Sequence, residues 1–296
     1  MERLLHVVPA LGESIPVPVL ARVVCALGGR GLPAVLPDLL EMALTNHMAC
    51  WCAFFRSTGY RYENLFYFRQ TTIRNANKFT TTNIARTGEE GCLRYAHEHG
   101  YPWGALTCGH AAAGGHLECL RYAHENGCPW DSWVCIWAAE YNQLKCLRYA
   151  YENGCPWNSQ TCASAAAQGH LECLRYAHEH GCPWGTWTCQ WAARAGRLDC
   201  LRYAHEHGCP WDERTCASAA SGGHLECLRY AHENGCPWDA GTCSDAAAGG
   251  DLKCLRYAHE NGCPWDDRVC LNAVRYGHLG CLWYAHKHRV PLTSAS

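Results

Sequence analysis

The chain predicts an all-α solenoid, a stack of helix–turn–helix units with little or no β-structure. Three observations carry this. First, the pentapeptide Cys-Leu-Arg-Tyr-Ala or a close variant begins at Cys92, Cys119, Cys146, Cys173, Cys200, Cys227, Cys254 and Cys281, a spacing of 27 residues. A fixed period of this size marks a supersecondary unit stacked on copies of itself. Second, most units hold two helix-length segments ended by Gly and a link containing Pro, which cannot continue a helix. Third, the first segment is rich in small residues, with Ala pairs such as Ala165/Ala166 and Ala192/Ala193. A slim amphipathic unit of this kind buries its apolar face only against its neighbours.

The 296 residues divide at about 80 into an irregular leader and eight units, 81–296. The leader is aliphatic and punctuated by Pro, with helices expected at Val17–Leu27, Leu36–Leu44 and His47–Arg56 and an aromatic stretch from Tyr60 to Phe68. Such a segment serves as a helical cap for the first full unit. Its apolar patch Leu4–Leu11 is broken by His6 and Pro9 and has no basic flank, so no signal peptide is read there.

Residues 161–187 illustrate one unit. Thr161 is expected to cap a helix beginning at Cys162 and stopped by Gly169. A second helix then runs from His170 to His180, Gly181 closes it, and Cys182-Pro183-Trp184 links to the next unit. The Trp recurs at 103, 130, 157, 184, 211, 238 and 265, and a fixed link position points to packing between units. The His of Tyr-Ala-His recurs at 97, 124, 178, 205, 232, 259 and 286, but one unit carries Tyr151 instead. A position that accepts both needs a flat ring with a hydrogen-bonding tip rather than an ionisable nitrogen. Arg121/Glu125, Arg175/Glu179 and Arg229/Glu233 are helix-surface neighbours of a solvated face.

Of 24 cysteines, 21 fall on three ladders: the pentapeptide, the link, and the first helix (108, 135, 162, 189, 216, 243, 270). Equivalent residues of stacked helices lie about 8–10 Å apart, beyond the roughly 7 Å that a disulfide spans. Reduced, buried thiols acting as small hydrophobes are therefore expected, with bonds between different ladders left open by the spacing. Structural zinc sites need close ligand pairs, and the one tight pair, Cys50/Cys52, lies outside the array. A metal- or redox-responsive thiol protein is a rival reading; neither metal nor cofactor is assigned.

At this point a resemblance is plain. The run Gly-His-Leu-Glu-Cys-Leu-Arg-Tyr-Ala-His-Glu-Asn-Gly-Cys-Pro-Trp-Asp (115–131, nearly repeated at 223–239) resembles the ankyrin-repeat pattern, and the preceding Ala-Ala matches too. It covers all eight units. It departs in its 27-residue length, against about 33, which leaves little room for the projecting β-hairpin, and in the link Trp. Similar shortened Cys-Pro-Trp repeats occur in large arrays of giant viruses and protists. The resemblance implies a right-handed solenoid, a non-enzymatic protein-binding scaffold, and a cytoplasmic home, the host cytoplasm if viral. Ile15 to Leu27 is similar to the opening of F-box domains, and Cys50-Trp51-Cys52 to their later helix. That second likeness implies an adaptor for ubiquitin ligation as an alternative function.

Composition excludes other classes. Net charge is −2, and the array carries 17 Lys+Arg against 22 Asp+Glu, so it has no basic footprint for nucleic acid. No apolar run reaches the roughly 18 residues that span a bilayer. Phosphate loops and nucleophile-elbow or zinc-protease motifs are missing, so no catalytic residues are assigned. The expected partner is a protein, bound by a monomer. In a solenoid the repeated positions build the stack, and those that vary are free to bind. Variation is sharpest in two units: Trp133, Ile136, Trp137 and Tyr141 in one, Trp187, Gln190, Trp191 and Arg194 in the other. Each has Trp at i and i+4, flanking units that offer only Ala and Ser. Two aromatic ridges beside a shallow gap are the expected partner-binding face, since Trp, Tyr and Arg dominate binding hot spots.

Overall fold

The structure, a computed structural model, describes residues 81–98 and 100–288. The expectations for the leader, cap or F-box-like, lie outside the described residues. Sixteen helices and no strand occur among these residues. In chain order they form eight pairs: α1 (Thr81–Thr87) and α2 (Glu90–Glu98), α3 (Ala105–Ala113) and α4 (Leu117–Glu125), α5 (Ser132–Glu140) and α6 (Leu144–Glu152), α7 (Ser159–Gln168) and α8 (Leu171–Glu179). The series continues with α9 (Thr186–Arg194) and α10 (Leu198–Glu206), α11 (Glu213–Ser221) and α12 (Leu225–Glu233), α13 (Ala240–Gly249) and α14 (Leu252–Glu260), α15 (Arg268–Arg275) and α16 (Leu279–Lys287). The chain divides into two compact units, one ending at Trp130 and the other beginning at Asp131. The 27-residue register does not show that division.

Helices this short are marginal in isolation, so their caps and packing decide them. The first helix of a pair begins earlier than Thr161 suggested. Asn158, in extended conformation, accepts from the backbone N–H of Gln160 at 2.9 Å and caps α7. Thr161 instead lies inside the first turn, fully buried. Asp131, Asp212 and Asp239 cap α5, α11 and α13 in the same way. The reason is reach: a side-chain oxygen caps from a residue with β-region backbone, bonding an N–H two or three residues ahead, and Thr161 is already helical. The turn between paired helices needs a left-handed residue. Gly169 supplies it at φ 83° between α7 and α8, and Asn142 supplies it at φ 59° between α5 and α6, the non-Gly type that best tolerates this region.

Within the second unit, first helices pack closely on the first helices of neighbouring pairs, while successive second helices meet more sparsely. The Ala pairs are the cause. Ala138/Ala139, Ala165/Ala166, Ala192/Ala193, Ala219/Ala220 and Ala246/Ala247 are all fully buried and bring the backbones together. Cys-Leu-x-x-Ala of each second helix closes the core; Leu147, Leu174, Leu201, Leu228 and Leu255 have no exposed surface.

The cysteines follow expectation with one correction. Twenty of those described carry free thiols, nineteen of them buried, but Cys92 is disulfide-bonded. Burial pushes the Cys200 and Cys227 thiols up to about 11, so they stay protonated and inert at neutral pH. The link thiols have a further task. Cys128, Cys155, Cys182, Cys209, Cys236 and Cys263 donate to the N-cap residue's carbonyl one repeat earlier, at 3.1–3.4 Å. Each weak S–H bond ties a link to the start of the preceding first helix.

The link Trp and the His of Tyr-Ala-His form one device. Trp184 stacks on His178 with centroids 3.8 Å apart and meets Tyr203 of the next pair edge-on at 6.2 Å. His178 Nδ1 and the Tyr203 hydroxyl share a 3.0 Å hydrogen bond, and the bond recurs at His205/Tyr230, His232/Tyr257 and His259/Tyr284. The Arg of the pentapeptide keeps to the solvated face, where Arg175 pairs with Glu179 as expected, and also lies over rings. Arg202, Arg229 and Arg256 lie over Tyr230, Tyr257 and Tyr284 at 5.4, 5.9 and 5.6 Å. Arg121 and Arg229 reach back to Glu118 and Glu226, and Arg175 contacts both Glu172 and Glu179. These exposed pairs each contribute only a few tenths of a kcal/mol.

Tyr151 confirms the reading of that position: its ring stacks on Trp157 at 4.0 Å and its hydroxyl donates to the His180 carbonyl at 3.2 Å. The exchange leaves a mark one repeat on. Tyr176, which would meet His at 151, is buried with no hydrogen-bond partner for its hydroxyl. Tyr151→His is therefore expected to raise stability by about 1 kcal/mol by satisfying that hydroxyl. Tyr176→Phe should cost nothing where Tyr203→Phe costs about 1 kcal/mol. Urea unfolding of the three variants checks this.

His178 and His259 titrate below the ordinary value near 6.5, through burial first and then through His207 and His288 respectively. A depressed imidazole favours the neutral form in the folded state. Its stabilisation is complete above the unfolded value and is lost as pH falls from about 6.5 through the folded value. The melting temperature should thus decline from pH 7 toward pH 5. His207→Gln, which removes the neighbouring imidazole beside His178, should shrink that decline; an unaltered profile would contradict the assignment.

Candidate partner-binding face

Adding 27 to a residue number moves one step along the first helices. The positions of Trp137 thus read Trp137, Ser164, Trp191, Ser218 and Asp245 in the second unit, and those of Trp133 read Trp133, Gln160, Trp187, Arg214 and Gly241. Both rows lie on α5, α7, α9, α11 and α13. Since i and i+4 share a helix face, each helix presents one residue from each row.

On α5, Trp133 is 45% exposed and its ring centroid lies 5.8 Å from that of Trp137. On α9, Trp187 is 55% exposed and lies 6.0 Å from Trp191. Trp137 and Trp191 are half-buried, Tyr141 and Arg194 exposed. Between them α7 carries Ser164, almost wholly buried, and exposed Gln160. The helices pack α5 on α7 and α7 on α9, so two aromatic rises flank a strip that carries Ser164 and Gln160.

Two of the expected site residues do not face out. Ile136 and Gln190 are 2% and 4% exposed. Gln190 Nε2 donates at 2.8 Å to Asp212 Oδ1, the oxygen that also caps α11. These side chains hold neighbouring pairs together and are not contact residues. The reason is geometric: one step from Trp137 or Trp191 around a helix turns the side chain by about 100°, from the open face into the neighbouring pair. Sequence reasoning passed over Asp245, although the register places it two steps beyond Trp191. Its half-buried carboxyl is pushed up by burial first and by Asp239, against Arg268 and Arg194. The face therefore carries a charged end beyond the second Trp pair.

Among the described residues, no group of three or more His, Cys, Asp or Glu side chains is placed to hold a metal ion. No helix among them is long and apolar enough to cross a membrane.

Comparison with known proteins bears on the repeats. The family model described as ankyrin repeats (many copies) matches residues 189–232, the stretch running from α9 through α12. Among solved structures, the chain is similar to the human ASB11 ankyrin repeat domain. Identity is 17%, the match covers 53% of this chain and 83% of that one, and the TM-score is 0.45. No curated protein sequence matches significantly. The matched stretch, two of the eight helix pairs that repeat in one 27-residue register, is accordingly a segment of ankyrin repeats.

Proposed function

We propose that the protein is a non-enzymatic scaffold that binds a protein partner through Trp133, Trp137, Tyr141, Trp187, Trp191 and Arg194. Ankyrin repeats generally mediate protein–protein interaction. The observation that carries the placement is the exposure of Trp133 and Trp187, at 45% and 55%, in a compact unit whose other first-helix residues at this step, Gln160, Arg214, Gly241 and Arg268, are small or polar. Each ring sits against a half-buried Trp one turn on, so it is held rigid and loses little entropy on binding. Arg194 and Asp245 add charged contacts at one end.

The test is identification of copurifying protein by mass spectrometry, followed by affinity measurement with variants. Trp133→Ala and Trp187→Ala should each weaken binding by about 2 kcal/mol, the range of hot-spot residues. Undiminished binding by the double variant would remove the site from this face. The ligase-adaptor alternative rests on Ile15 to Leu27 and Cys50 to Cys52, and nothing in the described helices favours it.

A further inference from the structure

Two of the cysteine ladders meet. Cys108, Cys135, Cys162, Cys189, Cys216 and Cys243 of the first helices each share a hydrogen bond with the link thiol 20 residues on. The Cys162 and Cys216 sulfurs also lie 4.0 Å from the Cys182 and Cys236 carbonyls. Each pair belongs to one repeat, and all its members are reduced.

The two thiols of a pair are not equivalent. The first-helix thiols have no exposed surface, whereas the link thiols keep 3–4%. The link sulfur is also the one ringed by donors. Cys209 faces the Cys189 thiol, the Thr188 hydroxyl and the Cys189 backbone N–H, and Cys128 and Cys263 are surrounded in the same way. The hydrogen bond from the partner thiol is the main cause that holds these three link thiols below the usual range. The same bond, with burial, pushes Cys189 and Cys243 up.

A second observation marks the same place. The hydroxyls of Thr161, Thr188, Thr215 and Thr242 are buried without a hydrogen-bond partner, an arrangement that ordinarily carries a penalty. A neutral thiol is a weak acceptor, but Thr188 and Thr242 are placed to donate to Cys209 and Cys263 once these are charged. Giving up the link proton strands no backbone group either. The Asn158 carbonyl that accepts from Cys182 at 3.3 Å also accepts the Thr161 N–H at 2.9 Å.

We propose that each pair is an oxidisable dithiol, in which the link cysteine attacks a peroxide and the first-helix cysteine resolves it into a disulfide within the repeat. In the first step the link thiolate attacks a peroxide oxygen. An S–O bond forms, the O–O bond breaks, and the departing hydroxide takes up a proton as water. The first-helix sulfur then attacks the sulfenic acid. The S–S bond forms, the S–O bond breaks, and the second hydroxide leaves with the proton of that thiol as water. Two electrons pass from the two sulfurs to the peroxide. Contact between the sulfurs favours resolution over further oxidation, and a dithiol reductant reverses the bond by exchange. One repeat carries its own control: Val134 stands where its neighbours have Thr, so Cys155 lacks the hydroxyl.

The test exposes the full chain, reduced and freed of reductant, to hydrogen peroxide for increasing times. Alkylation and tandem mass spectrometry of an unreduced digest then locate the bonds. The expected products are disulfides between residues 20 apart, cleared by dithiothreitol, with Cys135–Cys155 forming several-fold more slowly than Cys162–Cys182. In Thr188→Val the Cys189–Cys209 bond should form several-fold more slowly, while Cys216–Cys236 in the same chain keeps its rate. The melting temperature of that variant should not fall, because the hydroxyl was unpaired. Link cysteines driven to sulfinic acid without disulfides overturn the proposal, as do bonds of any other spacing. So does a native chain left reduced by peroxide that oxidises the urea-unfolded chain, or equal rates for Cys135–Cys155 and Cys162–Cys182.

Discussion

Leu201→Ala is expected to lower the unfolding free energy by about 2–5 kcal/mol, the range for truncating a buried Leu. Leu201 has no exposed surface, and the Cys and Ala that share its face of α10, Cys200 and Ala204, are buried as well. Removing its isobutyl group leaves a cavity among small residues that have little freedom to fill it. The loss should propagate, because a repeat in a solenoid draws its stability from both neighbouring interfaces. Equilibrium denaturation measures the effect. The same substitution at Leu279, at 76% exposure in the last described pair, serves as the control and should cost under about 0.5 kcal/mol. Equal losses at both positions would mean that burial in the stack does not govern stability.

Trp184→Ala is expected to destabilise by about 2–3 kcal/mol, while Trp187→Ala, three residues on, should cost under about 0.5 kcal/mol. Both are Trp and both flank the start of α9, yet they do opposite work. Trp184 is half-buried, stacked on His178 at 3.8 Å and set edge-on against Tyr203 at 6.2 Å. Its removal frees the link, exposes the His178 ring and loosens the next pair. The figure stays below that for a fully buried Trp because part of the ring already meets solvent. Trp187 is 55% exposed and touches Trp191 of its own helix. Its loss should show in partner binding instead. Thermal melts and affinity measurements on the two variants separate the roles; a Trp187→Ala variant that melts as low as Trp184→Ala would make the aromatic rises packing.

Much of this was readable residue by residue. The period located every helix pair, because a left-handed turn residue and a Pro-containing link recur at set offsets, and local backbone chemistry needs no knowledge of neighbours. Burial of Leu201 and Cys200 followed from the same logic, since a slim unit must bury its apolar stripe. The eight expected site residues fared less evenly. Trp133 and Trp187 lie open where variation in the array pointed, whereas Ile136 and Gln190 turn into the stack. Variation between units marks both binding positions and interfaces that are tuned pair by pair, and sequence alone does not separate them.

Thr161 shows the same limit at a cap. A hydroxyl suits that role, but the residue with the extended backbone was Asn158, and cap geometry depends on where the chain turns. The Cys92 disulfide breaks a pattern that spacing within the ladders predicted, because ladder spacing constrains only bonds between equivalent residues.

The sequence by itself determined the repeat, its helices, their order and the identity of the core, because each is written in local propensities and a strict register. Only the tertiary structure decided which variable side chains meet solvent, which hydroxyl is left unpaired at Tyr176, and which thiols lie against one another. Those are properties of surfaces in contact, and whether a side chain is covered depends on the neighbour laid against it rather than on the residue it is.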